Sequence, residues 1–149
     1  MTLFPFNIRI YGIIIDNNKV LVSDEIVKGN FVTKFPGGGL QFGEGPLECI
    51  KREMMEETGQ EFEVVKHVYT TDFFQRSAFD PNHQVISIYY QLSPVQPIRF
   101  LISDHEFNFK ENTEGAQSFR WIQINKISQN LFTLPIDRVV GELLKKNYG

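Results

Sequence analysis

The sequence predicts an α/β fold of the α+β kind, a mixed β-sheet covered on both faces by helices. Three observations carry that expectation. β-Branched and aromatic runs recur along the chain, two segments switch to helical period, and the order is strands, helix, strands, helix. A length of 149 residues fits one domain, 1–149, large enough to bury a real core. No internal repeat, low-complexity tract or long polar linker divides it.

Taken in order, residues 8–15 are rich in β-branched side chains and end in Asp16-Asn17-Asn18, a turn signal. Residues 19–23 resume as a strand, so the two form a hairpin. Residues 31–35 read as a further strand, closed by Pro36 and a glycine turn at Gly37, Gly38 and Gly39. Residues 46–58 read as a helix, because Pro46 suits a first turn and Gly59 suits the left-handed position after the last one. Its buried stripe is expected to be Leu47, Ile50, Met54 and Thr58.

Extended, β-prone runs lie within residues 61–74 and 84–92, with a loop at Asp80-Pro81-Asn82-His83. Residues 93–97 hold two prolines and interrupt regular structure, and residues 98–107 show no clean period. A strand around Trp121 covers residues 119–124. Residues 135–146 place Ile136, Val139, Val140, Leu143 and Leu144 on one side of a second helix, weakened somewhat by Gly141.

Composition excludes several classes of function. A formal charge of -3 gives no footprint for duplex nucleic acid, which needs a basic patch. No apolar run reaches the roughly eighteen residues of a membrane helix. The first ten residues lack a basic region followed by an apolar segment, so no signal peptide is read and the cytoplasm is the default compartment. The single Cys49 excludes an intramolecular disulfide and a cysteine zinc cluster.

Chemistry concentrates in residues 38–60. Glu53, Glu56 and Glu57 cluster on the helix, roughly 110° from the expected apolar stripe. Like charges this close repel, so stability alone gives no reason to gather them. A hard divalent cation does, and Mg²⁺ or Mn²⁺ suits such oxygens. Gly37, Gly38 and Gly39, with Gly43 and Gly45 around Glu44, let backbone approach a ligand closely. A helix N-terminus adds a preference for anions. Carboxylates for metal beside a glycine turn suggest metal-assisted phosphate chemistry. Taken alone, an acidic helix face is usually solvated surface.

The spacing narrows this. Gly38, five residues, Glu44, seven residues, then Arg52-Glu53-Met54-x-Glu56-Glu57-x-Gly59 resembles the Nudix box of the Nudix hydrolases. The match covers about 23 residues and fills every glycine, arginine and glutamate position. Gln60 departs where an aliphatic residue is usual, and Gln41 stands where glutamate is common. The resemblance implies the Nudix α/β/α sandwich with a mixed β-sheet. It also implies hydrolysis of a nucleoside diphosphate linked to another group X, with Mg²⁺ or Mn²⁺. The alternative is a nucleotide-sensing or regulatory module on the same fold, without turnover.

By motif position, Glu53, Glu56 and Glu57 resemble the metal carboxylates, with the Gly38 carbonyl completing the shell and Glu53 a candidate general base. Arg52 resembles the arginine that orients a glutamate, with Glu44 as its partner. Glu111 and Glu114 are candidates for the loop carboxylate that some relatives use as base. Glu48 and Glu61 are expected in solvent, and Cys49 against the sheet rather than as a nucleophile. His67, His83 and His105 show no ligand spacing. Phe73, Phe74, Tyr89, Tyr90 and Trp121 are either base-stacking or core. Residues 75–78, Gln-Arg-Ser-Ala, carry neither the proline nor the tyrosine that marks some Nudix subfamilies, and Arg76 there is read as exposed rather than on phosphate. The implied partner is a small nucleotide diphosphate, and a homodimer is open.

Overall fold

The computed structural model describes residues 5–149. The reading of a missing signal segment falls partly on residues 1–4 and to that extent lies outside the described residues. The elements are β1 (Phe6–Asp16), β2 (Lys19–Val27), β3 (Asn30–Lys34), β4 (Gly37–Gly39), α1 (Pro46–Thr58), β5 (Phe62–Thr70), β6 (Gln84–Pro94), β7 (Ile102–Ser103), β8 (Gln117–Gln123), a 3-10 turn at Ile124–Lys126, and α2 (Pro135–Tyr148). They fall into two compact units, Met1–Ile13 with Pro36–Ile98, and Ile14–Phe35 with Arg99–Gly149.

In the first unit the strands run β5-β6-β1, with β4 added to β1. The three glycines after Pro36 correct the expectation of a turn. They form β4, antiparallel to β1 in the register Arg9↔Gly39, Ile10↔Gly38, Tyr11↔Gly37. A ladder needs only backbone groups, so a side-chain-free segment pairs where there is no room for side chains. A Cβ on Gly37 would sit 2.8 Å from Tyr11 Cα, and Gly37 has φ 138°. Flanking bonds extend the pairing, from Gly12 N–H to the Pro36 carbonyl at 2.8 Å and from Leu40 N–H to the Ile8 carbonyl at 2.9 Å.

Strand β6 also corrects the sequence reading, because it continues through Ser93 and Pro94. Pro94 pairs with Phe62 at the last position of the β5–β6 ladder, where its missing N–H costs little. Helix α1 begins on Pro46 and ends at Gly59 with φ 72° and its N–H on the Met55 carbonyl. Its buried side is only partly the expected one: Ile50 and Met54 are fully covered as expected, with Cys49 beside them, whereas Leu47 is 49% exposed. At about 100° per residue the arc from Cys49 to Met54 also contains Glu53 and Glu57. Two carboxylates therefore lie towards the inner side of the helix, and Leu47 and Thr58 at its margin.

In the second unit the end of β1 is followed by β2, β8 and β7, with β3 on the other edge of β2. Asn17 and Asn18 make the β1–β2 hairpin with φ of 50° and 61°, the conformation that two-residue hairpins favour. β7 pairs β8 in parallel while β2 pairs β3 and β8 antiparallel, so the pairing is mixed. β7 occupies the stretch without a period, because two residues are too short to show one. Helix α2 buries Ile136, Val140 and Leu144, while Val139, expected inside, is 37% exposed. Gly141 is the close-approach point: a Cβ there would lie 3.0 Å from the Phe132 ring and 3.2 Å from Ile127. Phe132 in turn stacks on Phe35 at 4.4 Å between ring centres.

Candidate active site

Arg52, at the middle of α1, is the point where the box residues meet. Its Nε donates to Glu44 Oε2 at 2.9 Å and its Nη2 to Glu44 Oε1 at 2.7 Å, a two-pronged, charge-assisted pair. Nη2 also donates to the Gly39 carbonyl at 3.1 Å. Nη1 reaches Glu53 Oε1 at 3.1 Å and both Glu56 oxygens at 3.1 Å. One guanidinium thus ties the loop, β4 and two helix carboxylates together. The arginine holds the Glu44 carboxyl down at about 2, assisted by the Gln41 N–H, which donates to Glu44 Oε1 at 2.9 Å. Hydrogen bonding to Glu44 likewise pushes the Arg52 guanidinium up, so it stays charged.

Glu53 has a second constraint. A Cβ on Gly38 would sit 2.6 Å from the Glu53 carboxyl carbon and 2.6 and 2.7 Å from its two oxygens. Only a glycine leaves that carboxylate room against the β4 backbone. The Glu53 side chain is 15% exposed, compared with 56% for Glu56. Glu57 is half-buried on the same helix. Among the described residues no three His, Cys, Asp or Glu side chains are gathered as a ready metal cage. Like charges spread, and Arg52 draws Glu53 and Glu56 towards itself instead. A cation entering here would compete with Arg52 for those two carboxylates, while Glu44 keeps the guanidinium in place.

The remaining candidates separate clearly. Glu48 is exposed, as expected, and its Oε1 also accepts the Gly45 N–H at 3.1 Å, capping the start of α1. Cys49 is fully buried, its Sγ donating to the Gly39 carbonyl at 3.6 Å, and burial pushes the thiol up to about 12. Arg52 Nη2 does lie 3.7 Å from that sulfur, a basic neighbour that the sequence did not reveal. Desolvation and the Glu44 charge outweigh it, so no thiolate forms. Gln60 is buried, and its Nε2 donates to the Pro97 carbonyl at 3.1 Å. That bond explains a polar residue in an aliphatic slot.

Glu114 accepts the backbone N–H groups of Lys28 and Gly29 at the β2–β3 turn, in the second unit. Glu111 is exposed. His67, His83 and His105 bond to Thr70, Asp80 and Asp104, respectively. Tyr89 is core, Phe73 and Phe74 are exposed at 40% and 64%, and Tyr90 and Trp121 are half-buried. Arg76 donates to the Pro81 carbonyl at 2.7 Å and lies over the Phe74 ring. No side-chain pattern marks the Gly39 carbonyl, which is a backbone group that any residue would supply.

A family model described as NUDIX domain matches residues 6–142. Among solved structures, the chain is similar to a NUDIX hydrolase from Nitrosomonas europaea, at 22% identity over 97% of this chain and 90% of that one, with TM-score 0.67. It is similar to a MutT protein from Methanosarcina mazei Go1, at 19% identity over 99% and 98%, TM-score 0.68. It is also similar to an ADP-ribose pyrophosphatase from Streptococcus suis, at 13% identity over 96% and 92%, TM-score 0.58. These likenesses show the fold, an α+β sandwich with a mixed sheet and two helices. With the family model running over nearly the whole chain, the chain belongs to the NUDIX domain family, as an enzyme of the Nudix pyrophosphohydrolase type.

Proposed function

We propose that this protein hydrolyses the diphosphate linkage of a nucleoside diphosphate joined to another group, with Mg²⁺ or Mn²⁺ as cofactor. The observation that carries the proposal is the Glu53 carboxylate, lodged over the Gly38 backbone and tied to Arg52. The donor set fits a hard divalent cation, since it consists of carboxylate and carbonyl oxygens without sulfur or imidazole. Glu53, Glu56 and Glu57, with the Gly38 carbonyl, would hold it. When bound, such a cation neutralises phosphoryl oxygens and acidifies a water for attack.

The chain's own groups do the rest. Glu53 takes the proton of the attacking water, the role its position against β4 and its limited exposure suit. Water oxygen bonds to one phosphorus as the bridging P–O bond breaks, giving two phosphate-bearing products. Arg52 fixes the Glu53 and Glu56 carboxylates, and Glu44 fixes Arg52. Fixed charges of this kind need no reorganisation as the bond breaks.

The test is a panel of nucleoside diphosphate sugars, dinucleotides and nucleoside triphosphates, incubated with purified protein and titrated Mg²⁺ or Mn²⁺. Release of phosphate or a nucleoside monophosphate from at least one class is expected, abolished by EDTA. Tight binding in calorimetry without turnover under any metal would instead favour a sensing module.

A further inference from the structure

We propose that Arg9 is a substrate-binding residue, holding a phosphoryl group on the side of β4 opposite Glu53; this rests on the diphosphate hydrolase reading above. Among the described residues β4 pairs β1 alone, and its three residues carry no side chains. Successive residues of a strand face opposite sides. The side above Gly38 is filled by the Glu53 carboxyl. On the side above Gly39, Arg9 Nη1 lies 3.3 Å from where a Cβ would stand.

Arg9 is the ladder partner of Gly39, so its guanidinium leans on backbone one peptide from Gly38. It is aimed by Tyr11: Nε donates to the Tyr11 hydroxyl at 3.2 Å, and the guanidinium carbon lies 5.8 Å from the ring centre. Tyr11 is itself only 3% exposed and packs on the buried Tyr89, with ring centres 5.2 Å apart. A planar guanidinium carries five N–H donors, and its fork matches phosphate oxygens. The guanidinium, on the side of the strand away from the Glu53 carboxylate, gives one end of a diphosphate a positive partner where the carboxylate itself would repel it. A diphosphate crossing β4 meets no side chain on the strand itself.

The test compares wild type with Arg9→Gln, Arg9→Lys and Gly39→Ala. Methylenediphosphonate, a non-hydrolysable diphosphate without a base, is titrated by calorimetry with and without Mg²⁺, and near-UV circular dichroism checks the fold. Arg9→Gln is expected to weaken binding about tenfold and raise KM similarly, with kcat within about threefold. Arg9→Lys should recover part of that loss, and Gly39→Ala, which crowds Nη1, should show a smaller loss in the same direction. A folded Arg9→Gln with wild-type affinity and KM overturns the proposal. If that variant does not fold, unchanged affinity in both other variants overturns it. Absence of turnover in wild type would remove the hydrolase reading alone, because the affinity comparison still decides Arg9.

Discussion

A single arginine organises the candidate site. Arg52 faces Glu44, Glu53 and Glu56 at 2.7–3.1 Å, so three negative charges share one positive one. The effect on acid stability has a definite sign. The Glu44 carboxyl titrates at about 2 in the folded chain against an ordinary 4.5, so unfolding takes up a proton in that window. Its contribution is therefore complete above 4.5 and is lost as pH falls towards 2. Denaturant titrations at pH 7, 4 and 3 should show a shallower acid limb for Glu44→Gln than for wild type. Arg52→Lys keeps the charge but not the fork. Metal affinity, followed by calorimetry with Mn²⁺, should fall by about ten- to a hundredfold as the carboxylates lose their orientation. The Arg52–Glu44 pairing was implied by the resemblance. The bonds from Arg52 to Glu53, Glu56 and the Gly39 carbonyl were not, because they depend on rotamers and on where the loop places backbone.

At the scale of elements, β4 and α1 position the chemistry, and both were only partly legible. The bounds of α1 follow from Pro46 and Gly59, which punctuate the sequence unambiguously. Its buried face followed only for Ile50 and Met54, because apolar periodicity assigns carboxylates to solvent, and here Glu53 and Glu57 lie within the inward arc. β4 was read as a turn since three glycines carry no strand propensity; their pairing comes from β1. Gly38→Ala should leave the fold measurable and reduce turnover by orders of magnitude, because the methyl occupies the place of the Glu53 carboxylate. In α2, Gly141 was read as a weakness, whereas it gives Phe132 and Ile127 their approach. Gly141→Leu should destabilise the protein by about 1–3 kcal/mol in urea unfolding, from overpacking.

At the scale of the whole molecule, each unit carries its own core, and the second holds a buried charged pair that no local pattern reveals. Asp24 is fully covered and accepts Arg120 Nε at 2.7 Å and Nη2 at 3.2 Å, the Thr33 hydroxyl at 2.7 Å and the Phe107 N–H at 3.1 Å. These partners lie up to 96 positions away in sequence, which is why reading along the chain missed them. Asp24→Ala, leaving Arg120 largely buried without its carboxylate, should cost about 3–5 kcal/mol in the same unfolding assay. The hairpin, α1, α2 and the carboxylate box were legible because each is specified by a short contiguous stretch. The carboxylate box also sets the decisive experiment. Phosphate or monophosphate release in Mg²⁺ or Mn²⁺ should be compared for wild type, Glu53→Gln and Glu57→Gln on the substrate that wild type cleaves best. Both variants should lose release by orders of magnitude while keeping a wild-type circular dichroism spectrum. Unchanged rates in both would contradict the metal-carboxylate mechanism.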